Sequence, residues 1–270
     1  MGLKIHYHVE GEGKPVVMLH GLGCDHRLMM GCMEPVFKRY SGYKRFYIDL
    51  PGMGKSEASL DYASSDKILE VLISIIDEQI KGGFLLAGES YGGYLARGIL
   101  ESKRLGDRVE GLLLLCPVVV PEHHKRNTPE RNVTVYDEDF LSRLAPEDRE
   151  SFCKYAVAAN PYTYERFKKE AEPGLKIANK EFIDRLEENY AFSFDVDQRI
   201  SEKKFSKPTL FLAGRQDDCV GYEDLWKLLK DYPRASFSLL DMAGHNLQFE
   251  QPEVLNCLVD QWLERIEEEL

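Results

Sequence analysis

The sequence predicts an α/β protein, a mainly parallel central sheet flanked by helices with a helical cap inserted into it. Three observations predict it. In residues 1–116, short apolar runs of strand length alternate with stretches of helical periodicity. The same rhythm returns in residues 207–270. Between them, residues 117–206 are rich in charge and helix formers, and no run there reads as a strand. Residues 1–116 and 207–270 are therefore expected to form one core domain, and residues 117–206 a helical cap.

Each element follows from its own pattern. Leu3, Ile5, Tyr7 and Val9 alternate with Lys4, His6 and His8, as an edge strand with one wet face should. The turn at 11–14 leads into the continuous apolar run 16–19, which fits a strand covered on both faces. Residues 45–49 make a third strand. Ile68, Val71, Leu72, Ile75 and Ile76 recur at helical spacing within 66–80, with Ser64 and Ser65 available as caps. A buried strand at 84–87, a helix over 94–100 and a strand at 109–116 complete the first block. In the second block, 209–213 reads as a strand, 222–230 as a helix and 236–240 as a strand. The last helix carries Val254, Leu255, Leu258, Val259, Trp262, Leu263 and Ile266 on one side.

Composition narrows the function. The chain of 270 residues is 43% hydrophobic and 30% charged, an ordinary globular balance. Its net charge of -11 argues against nucleic acid, whose phosphates need a surplus of Lys and Arg, and against an anionic membrane surface. Residues 1–14 contain no apolar stretch of a secretory signal, and His6 breaks the myristoylation pattern. No apolar run approaches the roughly 18 residues of a spanning helix. Six scattered cysteines without a C-x-x-C pair read as free, mostly buried thiols. A cytoplasmic protein is expected.

Three places carry chemistry, each at the predicted end of a strand, where open parallel sheets keep their ligand sites. The stretch Gly88-Glu89-Ser90-Tyr91-Gly92 satisfies G-x-S-x-G between a buried strand and a helix. Read as chemistry, it is a sharp turn that projects Ser90; read plainly, it is an ordinary tight turn. Ala243-Gly244-His245-Asn246 follows the last strand. A serine hydroxyl needs a base to take its proton, and His is suited to that near neutral pH. Gly214-Arg215-Gln216-Asp217-Asp218 follows the strand 209–213, and a carboxylate there would hold the imidazole tautomer. Taken singly, a loop His or an Asp-Asp turn is unremarkable. The order Ser, Asp, His, each at a strand end, makes a serine nucleophile the better reading.

On these residues the chain resembles the α/β-hydrolase family over nearly its whole length. The motifs are "HGLG" at 20–23, "DLPGMGKS" at 49–56, "GESYGG" at 88–93, "GRQDD" at 214–218 and "AGHNLQFEQPE" at 243–253. The resemblance implies Ser90 as nucleophile, Asp217 as the acid and His245 as the base. Asp217 is preferred to Asp218 because the family's Gly-x-x-Asp spacing from Gly214 fits only Asp217. It also implies an oxyanion hole from the backbone N–H groups of Leu22 and Tyr91, with His20 bracing the loop. Serine at position 90 disfavours the carboxylate-nucleophile chemistry of similar dehalogenases and epoxide hydrolases.

The implied activity is cleavage of a small carboxylic ester through an acyl-enzyme, with no cofactor and no metal. A carbon–carbon bond hydrolase of aromatic-ring degradation is similar, but its longer Gly- and Pro-rich oxyanion loop is absent here. A proline iminopeptidase would use cap carboxylates to hold a free amine. A small-molecule receptor that kept the fold is the reading without catalysis. The expected partner is a small-molecule substrate, with no nucleic acid and no membrane, and a homodimer is left open. "GMGKS" has Asp49 where a P-loop needs glycine. His123-His124 reads as a solvated loop, and Cys116 and Cys219 as pocket lining at most. At least half of the cap's aromatic residues are expected to form its own core.

Overall fold

The computed structural model describes residues 3–268. Seven strands form the central sheet: β1 (Tyr7–Glu10), β2 (Lys14–Leu19), β3 (Tyr43–Ile48), β4 (Phe84–Glu89), β5 (Val109–Leu115), and, after a two-residue pair β6 (Val135–Tyr136) and β7 (Ala158–Ala159), β8 (Thr209–Gly214) and β9 (Ala235–Leu240). Their order is β1-β3-β2-β4-β5-β8-β9. Every neighbour pair in it is parallel except β1 with β3. The continuous apolar runs expected to be covered on both faces are buried throughout β4 and β8 and in the last four residues of β2.

The first strand is shorter than its alternating pattern suggests. Lys4 and His6 carbonyls accept from Glu57 and Asp49 N–H groups instead, which hooks residues 4–6 to the loop after β3. The helices that cover the sheet include α1 (His26–Phe37), α2 (Ser65–Gln79) and α3 (Tyr91–Leu100). The periodic pattern did not single out α1, which contains Gly31 and Pro35 and starts at an Asp25 cap. Of the two candidate caps of α2, Ser64 accepts the Lys67 N–H, while Ser65 bonds Tyr91 and the Tyr190 carbonyl.

Between β5 and β8 lie α4 (Glu138–Leu141), α5 (Pro146–Cys153), α6 (Pro161–Glu170), α7 (Glu172–Ile177), α8 (Lys180–Glu188) and α9 (Val196–Lys203). The parallel bridge of β6 with β7 is the one departure from helix and loop found there among the described residues. Leu141, Phe152 and Phe167 from this segment pack with Leu28 of α1 and with Phe249 in a second apolar cluster, apart from the main core. The chain closes with α10 (Glu223–Lys227), α11 (Leu247–Glu250) and α12 (Pro252–Glu267). Where one helix was expected over 222–230, α10 ends at Lys227 and a 3₁₀ turn takes Leu229–Asp231. No helix among the described residues is long and apolar enough to cross a membrane. The six cysteines are free thiols, of which Cys32 and Cys116 are buried and Cys257 is exposed.

Candidate active site

Parallel strands deliver their C-terminal ends to one rim of the sheet, and four loops converge there. Ser90 follows β4, His20 to Gly23 follow β2, Asp217 follows β8 and His245 follows β9. Ser90 has φ 51° and ψ -116°, a backbone conformation that costs a side-chain-bearing residue about 1–3 kcal/mol. Its neighbours hold it there: its N–H donates to the Leu115 carbonyl at 3.0 Å, and its carbonyl accepts from Val118 N–H at 3.0 Å. Glycine is required on both sides by close packing. A Cβ on Gly88 would collide with the Gly92 carbonyl, and one on Gly92 with the Leu19 carbonyl.

The projected Ser90 Oγ lies 2.9 Å from His245 Nε2, and His245 Nδ1 lies 3.0 Å from Asp217 Oδ2. An ionised carboxylate only accepts, so Nδ1 carries the proton and Nε2 is left to accept from the serine hydroxyl. Asp217 is fully buried, and its other oxygen accepts the Cys219 and Val220 N–H groups at 2.9 and 3.0 Å. Asp218 takes no part in this relay; its carboxylate faces Cys219 Sγ at 3.8 Å. Burial opposes the charged imidazole, but Asp217, by charge and hydrogen bond, and Glu89, by charge, outweigh it and raise His245 to about 9.

Leu22 lines the same cavity as Ser90, and Tyr91 follows the serine in sequence. Tyr91 opens α3, so its N–H has no carbonyl of the helix to bond. Its ring is buried, with the hydroxyl 2.9 Å from Ser65 Oγ. His20 Nδ1–H donates to the Gly21 carbonyl at 2.7 Å, and its Nε2 accepts the Leu50 N–H at 3.0 Å. Both ring nitrogens are thus used to shape the loop, and burial keeps the imidazole neutral by lowering its pKa.

A cavity of about 740 Å³ opens over these groups. Gly21, Leu22, Ser90 and His245 form its floor, and Tyr155, Phe167, Leu175 and Tyr190 from the segment between β5 and β8 contribute to its walls. His123 and His124 are exposed and lie along it, and Cys219 lines it as well, whereas Cys116 is buried behind the rim with its thiol directed at the Gly244 carbonyl.

Three polar residues of this region escaped the motif reading. Glu89, the variable position of G-x-S-x-G, lies in the cavity with Oε1 3.6 Å from His245 Nε2. Burial pushes its carboxyl up to about 7, Asp217 adds to this, and His245 and the Gly21 N–H pull it back. Its signal was a charge at the end of an apolar strand. Arg126 faces the cavity while donating to the Val120, Pro121 and Cys219 carbonyls. Glu250 accepts the Gly244 N–H with one oxygen and the Val157 and Ala158 N–H groups with the other, and so ties the histidine loop to the inserted segment.

Among the described residues, two groups of ligand-type side chains cluster, Asp217 with Cys219 and His245, and His6 with His26 and Asp49. In the second, Asp49 accepts from His6 Nδ1, from His26 Nδ1 and N–H, and from Lys55 N–H, which anchors α1 and the 49–56 turn to the end of β3.

Comparison with known proteins agrees with this fold. A model of the alpha/beta hydrolase family matches residues 16–256. A crystal structure of an alpha/beta superfamily hydrolase from Oenococcus oeni PSU-1 is 32% identical, aligns over 99% of this chain and 100% of that one, and has a TM-score of 0.89. The 2-hydroxy-6-oxononadienedioate/2-hydroxy-6-oxononatrienedioate hydrolase of Burkholderia vietnamiensis is 26% identical over 97% of this chain and 92% of its own length. The pimeloyl-(acyl-carrier protein) methyl ester esterase of Legionella pneumophila is 24% identical over 97% of this chain and 100% of its own.

Proposed function

The chain belongs to the alpha/beta hydrolase family, and on that premise we propose that it is a serine hydrolase that cleaves a small carboxylic ester through an acyl-enzyme. The observation that carries this reading is the unbroken relay from Ser90 Oγ through His245 to Asp217, built on a serine held in a strained turn. His245 Nε2 takes the hydroxyl proton as Ser90 Oγ bonds to the ester carbon, and the carbonyl electron pair moves onto its oxygen. The N–H groups of Leu22 and Tyr91 receive that oxyanion, each supplying on the order of 3 kcal/mol of transition-state stabilisation. Tyr91 adds the positive end of α3. The tetrahedral adduct collapses, the alkoxide leaves with the proton from His245, and water deprotonated by the same imidazole releases the acid and restores Ser90. Asp217 keeps Nδ1 protonated and stabilises the imidazolium. Residues 117–206 act as a cap that shapes the acyl pocket.

A fluorophosphonate probe tests the reading. The folded protein is expected to be labelled at Ser90, and Ser90→Ala to lose labelling and about 10⁴ to 10⁶-fold in turnover with its melting temperature nearly unchanged. An unlabelled folded protein, or a Ser90→Ala variant with near wild-type rates, overturns it. The relative named as a 2-hydroxy-6-oxononadienedioate hydrolase favours a second reading, hydrolysis of a ring-cleavage dienoate. Turnover of such a dienoate in preference to simple esters would select it.

A further inference from the structure

The proposed cycle gives no task to the buried carboxyl beside its nucleophile. Glu89 is 3% exposed and lines the cavity beside the nucleophile. Its Oε1 is 3.6 Å from His245 Nε2, and its Oε2 packs so closely on Gly21 that a Cβ there would collide with it. The carboxyl, the Gly21 turn and Ser90 therefore share the side of the chamber where negative charge would develop on the substrate.

We propose that Glu89 selects the substrate, an ester that carries an ammonium group on the carbon next to the scissile carbonyl. The inference rests on the serine-hydrolase reading and adds the charge of the substrate to it. A bare carboxylate beside a developing oxyanion works against the transition state, most strongly in a chamber with little water. An ammonium group held by Glu89 reverses that sign, because it forms a charge-assisted hydrogen bond and offsets the carboxylate. An amine two bonds from the attacked carbon stays within reach of a carboxyl that already approaches the imidazole. Burial strains the ionised form of Glu89, and a bound cation relieves that strain.

The other charges nearby do not perform this task. Arg126 spends donors on three backbone carbonyls, at 2.9, 3.1 and 3.1 Å. Glu122 and Glu188 of the cavity wall are paired with Lys125 and Arg185, and Glu187, also of the wall, is exposed to solvent, unlike the buried Glu89. Asp217 is covered by His245. Glu89 thus sets the charge met by the atoms next to the scissile bond, and it does so from the elbow rather than from the cap.

Three ethyl esters that differ in one substituent on that carbon test the proposal: alanine ethyl ester (ammonium), ethyl isobutyrate (methyl) and monoethyl methylmalonate (carboxylate). Each kcat/KM is divided by the hydroxide-catalysed rate of the same ester. Wild-type protein is expected to prefer the ammonium ester to the methyl ester at least tenfold and to turn over the carboxylate ester least. Glu89→Gln is expected to bring the ammonium-to-methyl ratio down at least tenfold, with fluorophosphonate labelling of Ser90 reporting that the variant is folded. Hydrolysis with no ammonium preference, a preference for the carboxylate ester, or an unchanged ratio in Glu89→Gln overturns this inference and leaves the serine-hydrolase reading standing. Should Glu89→Gln not fold, the wild-type order of the three esters decides alone. Failure to hydrolyse any of them, together with absent labelling, removes both.

Discussion

The rim of the sheet and the segment over it are built on different terms. At the rim, backbone geometry decides where each polar group goes: Ser90 sits at a positive φ between glycines packed against carbonyls, and Asp217 is pinned by two N–H groups of its own loop. In residues 117–206, side-chain packing decides. Phe152 and Phe167 fill the second cluster, Phe182 and Phe192 join the main core, and Tyr136 and Tyr162 are exposed. Backbone constraint holds a geometry in place with few residues, while a packed helical insertion can change its lining and keep its fold. Glu250 joins the two, with one oxygen on the histidine loop and the other on the segment above.

Damage at the rim should therefore strike turnover, and damage in the cap should strike binding and stability. The largest effect is expected from Asp217→Asn, which leaves the hydrogen-bonding shape but favours the wrong imidazole tautomer. It should lower kcat by about 10⁴ with KM little changed. Asp218→Asn, one residue on and outside the relay, should keep kcat within the same order. Steady-state kinetics of the two variants check this, and the reverse ranking would move the acid to Asp218. A smaller effect on kcat and a larger one on folding are expected from Phe167→Ala. This ring is 2% exposed, belongs to the second cluster and lines the cavity. Its loss should cost about 3 kcal/mol of stability, read by denaturant unfolding, and should raise KM more than it lowers kcat. A fall in kcat as deep as that of Asp217→Asn would show that the cap also orders the relay, and the contrast would fail.

The same division explains what the sequence disclosed. The parallel sheet was legible because strands covered on both faces are continuous apolar runs, as at 84–87 and 209–213. The positions of Ser90, His245 and the acidic loop were legible because glycines crowd where a backbone must bend or approach another. The helix α1 was not, because Gly31 and Pro35 interrupt its pattern and its stability comes from packing against α6 and α12 rather than from propensity. The destinations of the aromatic residues in 117–206 were not legible either. Phe182 lies against Gly52 and Phe192 stacks on Tyr94 at 4.2 Å, neighbours that are distant in sequence. Glu89 was overlooked for a related reason: at a variable position of a motif, only the fold shows that the side chain turns into the chamber.

The finest test of the contrast is a pH profile, because it reads charge at the rim without disturbing the cap. Burial opposes the protonated form of His245, as does the charge of Arg126, while Asp217 and Glu89 favour it and prevail. The proposed base works as the neutral imidazole, so kcat/KM should rise with pH through its pKa. For wild-type protein this limb should lie above the ordinary histidine value, toward about 9. Glu89→Gln removes one of the two negative charges that stabilise the imidazolium and keeps Asp217. The folded-state pKa then falls, the neutral base appears at lower pH, and the ascending limb for ethyl isobutyrate should move toward acid. A limb that stays in place would mean that the Glu89 carboxyl carries no charge that His245 senses across 3.6 Å where the base titrates, and a limb that moves toward alkali would overturn the sign of this coupling. Phe167→Ala should leave the limb where it is, since that ring carries no charge.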